Sequence, residues 1–472
     1  MTTVIGILFA AASILGAMLL YRRLKHYDSL NVHDRWHDQA VPLDDAHVQE
    51  LSIELTDAGF VWPHFSGEWD TVLLELNIRA TVLGQIFDPA IMFRHGDKEI
   101  VQYFERGSRG RRYANLSELL CIQASEEVTR VGMFGRCVTW NKGHGRLLLM
   151  HTVETNGPVM VVAPHPDDAE IAAFGYYSKR DSWVVTLTAG ERGSSGLRAI
   201  ASDNADALDV SIRARVWNSI AAPMLGNVTY DHAMNLGYPD GQLADLYEGR
   251  LNDVKAYQRM SKIRRSNMNR WASIVPTHLS WDGLVEDLST ILLDSRPFTI
   301  VAPHPLLDRH YDHKYAAFAI AEAVLRSGLT TGNMLLYVVH AASSRAHPVG
   351  SADGVVSIAP WFDDEPIAQQ VYSESLGPME RELKTLALDS MFDLHGIPPI
   401  SDSPLHEKLY KASRSIYRHI AVYRTDFLRR GVRPNELFLV VPYHRVREYF
   451  GRFAQQILGS RREWPSMQQE MR

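Results

Sequence analysis

The sequence predicts an α/β protein with a mostly parallel sheet flanked by helices, preceded by a transmembrane helix and a smaller β-rich module. Two apolar runs, at 159–163 and 298–302, end abruptly in polar residues, as buried parallel strands do. A long uncharged stretch opens the chain. Aromatic and β-branched segments separated by Gly and Asn occur within residues 48–154, which is typical of short strands.

The composition is that of a folded protein that does not bind nucleic acid in general. The chain has 472 residues, 46% of them hydrophobic and 22% charged, and a formal net charge of −6. A length of this order allows two or three domains. An acidic balance argues against general affinity for nucleic acid. Cys121 and Cys137 are the two cysteines, which excludes a disulfide framework or a cysteine zinc cluster.

The uncharged stretch at the start predicts a membrane anchor. No charge occurs from Val4 to Tyr21, and Arg22, Arg23 and Lys25 follow. A bilayer core needs about 20 apolar residues, so the stretch is just long enough. The basic cluster after it predicts that the rest of the chain lies in the cytoplasm. We expect a single-pass protein of the inner membrane, with a buried core helix or a cleaved signal as the alternative.

A second segment adds to this expectation. Lys255, Arg259 and Lys262 recur at helical spacing and share one face of a predicted helix. Such a face is typical of a helix that lies on anionic lipid or on a phosphorylated glycan. An exposed helix without a partner has the same pattern, so both interpretations stand.

Changes in composition along the chain predict five segments. They are an anchor (1–26), a linker (27–47), a β-rich accessory module (48–154), the α/β domain (155–395) and a C-terminal extension (396–472).

The first apolar run leads into a cluster of potential metal ligands. His165, Asp167 and Asp168 follow the predicted strand at 159–163. Ligands bind at the carboxyl ends of the strands in an open α/β sheet, so these side chains are expected at the mouth of a crevice. Catalytic zinc sites typically use three protein ligands and a water. One aspartate can therefore bind a metal while the other acts as a general base.

The second apolar run leads into a similar cluster. Residues 299–305 repeat the Val-Ala-Pro-His-Pro of the first run and continue to Asp308, His310, Asp312 and His313. We expect His313 in the first turn of a helix, where an imidazole stays neutral and is a good ligand. The second cluster can therefore supply the ligand that the first one lacks.

The two clusters together resemble a known family. His-Pro-Asp-Asp-x-Glu at 165–170 and Asp-Arg-His-x-Asp-His at 308–313 are similar to the PIG-L/LmbE-like family of zinc-dependent de-N-acetylases. The resemblance covers roughly residues 157–395. It implies a Rossmann-like domain of the PIG-L type that removes the acetyl group from an amino sugar.

The resemblance also implies a role for each matched residue. His165, Asp168 and His313 correspond to the zinc ligands, although another divalent ion such as Fe2+ fits the same donors. Asp167 corresponds to the general base. His310, oriented by Asp312, corresponds to the residue that stabilises the oxyanion or acts as general acid.

Two further residues resemble substrate-binding positions of the family. Arg213 lies on a predicted helix, but the family pattern Arg-x-x-Glu is broken because Val216 stands in its fourth position. A solvated helix arginine is the equal alternative. Asp240 lies in a Pro-Asp-Gly turn, which forms without any function as well.

The predicted activity is deacetylation of an N-acetylhexosamine in a membrane-associated glycan or glycolipid, such as a lipopolysaccharide-core precursor. This substrate follows from the resemblance and the predicted anchor, not from any pocket residue. The alternatives are a non-catalytic binding or scaffold protein of envelope assembly and a metal hydrolase that acts on another amide or ester.

Overall fold

The structure is a computed structural model of the whole chain. It describes residues 16, 27–40, 43, 47–121, 129–192, 204–251, 254–274, 279–363, 368, 370–391, 394, 430–459 and 464.

Residues 48–151 form two antiparallel sheets that share one apolar core. The strands are β1 (Val48–Leu55), β2 (Gly59–Val61), β3 (Trp69–Ala80), β4 (Ala90–His95), β5 (Lys98–Tyr103), β6 (Arg109–Asn115), β7 (Arg130–Arg136), β8 (Val138–Trp140) and β9 (Gly143–His151). The first sheet has the order β1-β9-β3-β6, with β8 also paired to β3, and the second has the order β2-β7-β4-β5. Val72 and Leu74 of β3 and Phe93 of β4 are fully buried between them.

The remaining strands form one seven-stranded mixed sheet. They are β10 (Val159–Ala163), β11 (Ser182–Thr188), β12 (Ala233–Tyr238), β13 (Thr299–Pro303), β14 (Asn333–Tyr337), β15 (Gln370–Ser375) and β16 (Asn435–Pro442). Their order is β12-β11-β10-β13-β14-β16-β15. Strands β10 to β14 are parallel to their neighbours in this group, and β16 is antiparallel to both β14 and β15. The parallel part therefore has the Rossmann-like order 3-2-1-4-5.

The described helices lie between and after these strands. They are α1 (Asp168–Tyr177), α2 (Asn204–Ala221), α3 (Leu243–Tyr247), α4 (Val254–Arg264), α5 (Trp281–Ser295), α6 (Tyr311–Ser327), α7 (Pro378–Asp389) and α8 (Val446–Leu458).

Strand β10 is buried on both faces, which explains its continuous apolar sequence. Met160 and Val162 belong to the core that contains α5 and α6. Val159 and Val161 point to the opposite face, where they pack with residues of α1. Successive side chains of a strand alternate between faces, so a strand covered by helices on both sides must be apolar throughout.

The β-rich part packs on the edge of the large sheet through hydrogen bonds. Asn115 of β6 donates to Ser373 Oγ of β15 at 3.0 Å, and Ser373 N donates to Thr71 Oγ1 at 2.9 Å. These bonds satisfy polar groups of an edge strand that would otherwise be exposed. The division of the chain into domains stays a prediction.

The predicted membrane helix is contradicted. In the described part of the chain, none of the helices has the length and apolar character needed to cross a bilayer. The placement as a single-pass protein of the inner membrane depended on this helix and is corrected with it. The stretch Val4–Tyr21 itself, apart from Gly16, lies outside the described residues. The expectation had a weak physical basis, because the uncharged stretch is close to the minimum length that spans a bilayer.

The basic face of α4 makes ion pairs within the protein. Arg259 lies 3.5 Å from Glu191, and Lys262 lies 3.3 Å from Asp209. Both arginine and lysine thus have carboxylate partners next to the helix. Binding of this helix face to anionic lipid or to a phosphorylated glycan stays a prediction.

A buried ion pair joins α7 to β16 and α1. Lys384 Nζ lies 2.7 Å from Glu436 Oε1 and donates to Ile171 O at 3.0 Å. The carboxylate of Glu436 also accepts hydrogen bonds from Gly175 N and Tyr176 N. Burial raises the pKa of Glu436, and Lys384 opposes that rise.

We expect Lys384→Met to destabilise the fold by about 3–5 kcal/mol at neutral pH, because it leaves the carboxylate of Glu436 buried without its cation. Without the Lys384 ammonium the pKa of Glu436 rises further, so the folded variant takes up a proton as the pH falls. The destabilisation should therefore become smaller in acid. Urea unfolding at several pH values measures this. The double variant Lys384→Met/Glu436→Gln is the control and should recover part of the loss. A loss below about 1 kcal/mol, as for a surface pair, would contradict the account.

Candidate active site

The polar clusters meet at the carboxyl edge of the parallel strands. His165 follows β10, Asp240 follows β12, and His310 follows β13 at the start of α6. Strands β10 and β13 are neighbours, and the chain leaves them in opposite directions along the sheet. This is the topological switch point, where α/β sheets leave a crevice for ligands.

Three donor atoms from the two clusters converge on one point. His165 Nδ1 lies 3.0 Å from Asp168 Oδ2, His313 Nε2 lies 3.1 Å from the same oxygen, and the two nitrogens are 3.3 Å apart. Ligands on a tetrahedral ion at bond lengths of about 2.0–2.1 Å lie about 3.3 Å apart. All three side chains are buried. The predicted ligand set is therefore brought together with the spacing that one ion requires.

The far side of each histidine faces a carboxylate. His313 Nδ1 lies 3.0 Å from Asp308 Oδ2. His165 Nε2 lies 3.2 Å from Asp312 Oδ2 and 3.3 Å from Asp240 Oδ1. Metal-binding histidines commonly donate their other ring N–H to a carboxylate, which fixes the tautomer and the ring orientation. The surroundings of both rings fit that arrangement.

Backbone groups hold these carboxylates in place. Asp308 accepts from His310 N through Oδ1 and from Val339 N and His340 N through Oδ2, each at 3.0 Å. Asp312 accepts from Gly241 N at 2.6 Å, and Gly241 has a φ of +68°. A left-handed residue at this position favours glycine, which explains the Pro-Asp-Gly sequence of the turn.

Asp167 is the residue immediately before α1, and its carboxylate contacts Arg215. It makes no capping hydrogen bond, and its Oδ1 accepts from Arg215 Nη2 at 3.3 Å. Burial raises the pKa of Asp167, and the Arg215 guanidinium opposes this rise. A carboxylate with a raised pKa is a better proton acceptor near neutral pH.

Arg213 does not join the site. Its side chain is 69% exposed and pairs with Asp209 on the outer face of α2 at 2.7 Å. Arg215, two residues later, is buried and contacts Asp167 instead. Residues two apart on a helix face different directions, so only one of these arginines can point to the pocket.

His310 lies in the pocket, but Asp312 does not orient it. The His310 ring is 4.8 Å from that of His165 and 5.0 Å from that of His313, centre to centre. Its Nδ1 is buried and has no hydrogen-bond partner among the described residues. Burial lowers the pKa of His310, which favours the neutral form of its imidazole. The Asp312 carboxylate faces His165 and the Gly241 turn instead.

Negative charge dominates the pocket. Its carboxylates are those of Asp167, Asp168, Asp240, Asp308 and Asp312. Burial alone would lower the pKa of His313, yet the carboxylates of Asp168 and Asp308 raise it to about 10. The pKa of His165 is raised for the same reason by Asp168, Asp240 and Asp312. Such a pocket holds a positive charge, either as protons on the histidines or as a cation.

The donor set fits a divalent metal ion. His165, Asp168 and His313 supply two imidazole nitrogens and one carboxylate oxygen, which is the composition of a catalytic zinc site. Other groups of histidines and aspartates here also offer atoms close enough for one ion, among them His165, His310 and His313. We favour the first set because its three atoms lie within 3.3 Å of one another and both of its histidines are backed by carboxylates.

The histidine of the repeated Val-Ala-Pro-His-Pro sequence is not part of this set. His304 Nδ1 accepts from Leu306 N and Leu307 N, and its Nε2 lies 2.8 Å from Tyr449 Oη. The ring therefore holds the loop after β13 and the helix α8 together. Its sequence context resembles that of His165, but its role is structural.

Three residues of the pocket have no role predicted from the sequence. Asp308 lies within the second motif, and its position just after a predicted strand was the feature that could have identified it. Arg215 is an arginine on the same helix as Arg213, so the sequence spacing alone could not show which of the two faces the pocket. His340 stands alone after β14, and its ring is 5.1 Å from that of His313. A single histidine of this kind carries no signal in the sequence.

Comparison with known families supports the interpretation of these clusters. The family model of the GlcNAc-PI de-N-acetylases (PIG-L) matches residues 160–324. The match covers both clusters, the strands that carry them and Arg215. Residues 160–324 form a PIG-L domain. The match supports a de-N-acetylase-type hydrolase, and it contains every pocket residue named above except His340.

The other comparisons add little. The 4-carboxy-2-hydroxymuconate hydratase GalB of Pseudomonas putida is 15% identical, covering 60% of this chain and 96% of its own, with a TM-score of 0.28. A family two carbohydrate esterase of Cellvibrio japonicus is 11% identical, covering 74% and 99%, with a TM-score of 0.19. Likenesses at these TM-scores carry no argument about fold or function. The comparison with curated proteins gives no match.

We expect Arg215→Ala to slow deacetylation by the PIG-L domain by about 10- to 100-fold, because a hydrogen bond to a charged group contributes about 1.5–3 kcal/mol. Loss of the cation raises the pKa of Asp167 further, so the acid limb of the pH–rate profile should move to higher pH. The rate of acetate release across pH measures both effects. Arg213→Ala is the matched control on the outer face of α2 and should behave as wild type. Equal effects of the two changes would contradict the assignment.

Proposed function

We propose that the PIG-L domain is a zinc-dependent enzyme that hydrolyses the N-acetyl group of an N-acetylhexosamine and releases acetate and a free amino sugar. The observation that carries the proposal is the convergence of His165 Nδ1, Asp168 Oδ2 and His313 Nε2 within 3.3 Å of one another. The match of residues 160–324 to the GlcNAc-PI de-N-acetylase family supports the reaction type.

The proposed site divides the chemistry among a few residues. His165, Asp168 and His313 would hold a zinc ion, which would act as a Lewis acid on the acetamide carbonyl and would lower the pKa of a bound water. Asp167 takes the proton from the attacking water and passes it to the leaving amine. Arg215 keeps the carboxylate of Asp167 in position, at 3.3 Å.

His310 is the proposed donor to the oxyanion that forms on the substrate. Its ring lies about 5 Å from both histidine ligands, so it faces the position of the reacting carbonyl. One such hydrogen bond commonly contributes about 10²–10³ in rate. Its buried Nδ1 has no partner in the described protein, which leaves this ring free to serve the substrate.

The surroundings of Asp312 and Asp240 favour a supporting role. Both carboxylates face His165 Nε2, and Asp240 Oδ2 also accepts from Arg192 N at 2.8 Å. We propose that they set the orientation of the His165 ring. Asp240 was predicted to bind a sugar hydroxyl. Only 6% of the residue is exposed, so little of its surface is accessible to a substrate.

We propose an N-acetylated amino sugar as the substrate and do not include a lipid carrier in the proposal. The glycolipid expected from the sequence depended on the membrane helix, which is contradicted. The acetamide remains, because it is the group on which the zinc, the base and the oxyanion donor act.

We expect Asp167→Asn to lower deacetylation by about 10²–10⁴-fold while zinc stays bound, because Asp167 is a base and not a ligand. His313→Ala should abolish deacetylation and lose the metal. Acetate release from a panel of N-acetylhexosamine conjugates gives the first readout, and metal analysis of the purified variants gives the second.

The control for these variants is Asp209→Asn, which changes an exposed carboxylate of α2 and should leave both readouts at the wild-type level. Full activity of Asp167→Asn or His313→Ala would reject the proposed site. Activity on other amides but on no N-acetylhexosamine would keep the site and reject the substrate.

A further inference from the structure

His340 lies beside the proposed zinc ligands but outside both sequence motifs. It follows β14 at the same edge of the sheet, and its backbone N donates to Asp308 Oδ2 at 3.0 Å. The same oxygen faces His313 Nδ1 at 3.0 Å. One carboxylate therefore fixes the backbone of His340 and the ring of His313 relative to each other.

The ring of His340 has the spacing of a second imidazole on the same ion. Its centre is 5.1 Å from that of His313, with the planes inclined by 48°. The corresponding distance between His165 and His313 is 5.3 Å. Two imidazoles on one zinc ion, at bonds of about 2.0–2.1 Å and near-tetrahedral angles, have ring centres about 5 Å apart. The two pairs are alike in this respect.

Donor atoms of His340 also converge with those of the ligands. One atom each from Asp168, His313 and His340 lie within 4.8 Å of one another. In the described part of the chain, neither ring nitrogen of His340 has a hydrogen-bond partner. A half-buried imidazole without a protein partner is available to another ligand.

We propose that His340 is a fourth protein ligand of the metal ion held by His165, Asp168 and His313. A rotation of its side chain brings a ring nitrogen from its present place beside Asp168 and His313 to the ion. The inference rests on the proposed metal site, and it adds a residue that neither sequence motif contains.

The added ligand changes the expected properties of the centre. Three imidazole nitrogens and one carboxylate oxygen favour zinc or another transition metal over magnesium or calcium. Catalytic zinc can expand to five ligands, so a position for water or substrate remains. Loss of His340 should weaken metal binding by at least the roughly 10-fold that loss of an outer-shell partner costs.

X-ray absorption spectroscopy of the full-length protein, stripped with a chelator and loaded with zinc, tests the proposal. The wild type should show three imidazoles in the first shell, and His340→Ala should show two. Competition with a chromophoric chelator should show at least a 10-fold weaker zinc affinity for His340→Ala. His310→Asn is the matched control, because it removes a neighbouring ring and should leave three imidazoles.

The outcomes separate this inference from the proposed function. A wild type that binds no zinc would overturn both. A wild type with zinc and two imidazoles would overturn only the role of His340, and this result does not depend on any variant folding. Three imidazoles that fall to two in His310→Asn but not in His340→Ala would assign the extra ligand to His310 and also overturn the proposal.

Discussion

The arrangement of the pocket depends on the attraction between its buried carboxylates and the positive charge between them, which is carried by protonated histidines or by a metal ion. Asp168, Asp308 and the pair Asp240/Asp312 surround the rings of His165 and His313 from both sides. Several buried anions in one pocket are costly unless a cation compensates them. The carboxylates raise the pKa values of both histidines, which favours protons on these rings when no metal is bound. A divalent ion held by His165, Asp168 and His313 would supply the same compensating positive charge.

The sheet brings the charges together from distant parts of the chain. His165 follows β10 and His313 lies in the first turn of α6, after β13. Because β10 and β13 are adjacent and parallel, their carboxyl ends open at the same edge. The order of the strands thus turns a separation of almost 150 residues into a distance of 3.3 Å.

The parts of the fold nearest the site could be predicted from local sequence. The strands at 159–163 and 299–303 are fully buried, so their composition alone indicated them, and their polar ends indicated the ligands. The family of residues 160–324 followed from the same motifs. The choice between Arg213 and Arg215 could not be predicted, because it depends on the rotation of α2 against the sheet. The orientation of Asp312 depends on the turn at Gly241, which comes from another strand. The predicted membrane helix failed because length and lack of charge are weak evidence for a span.

The most direct test of the account is to locate the metal. Anomalous diffraction at the zinc edge, from crystals of the protein loaded with zinc, should give a peak about 2.0–2.2 Å from His165 Nδ1, Asp168 Oδ2 and His313 Nε2. A peak at that place would establish that the two motifs share one ion. A fully loaded crystal with no peak between these three atoms would contradict the central claim.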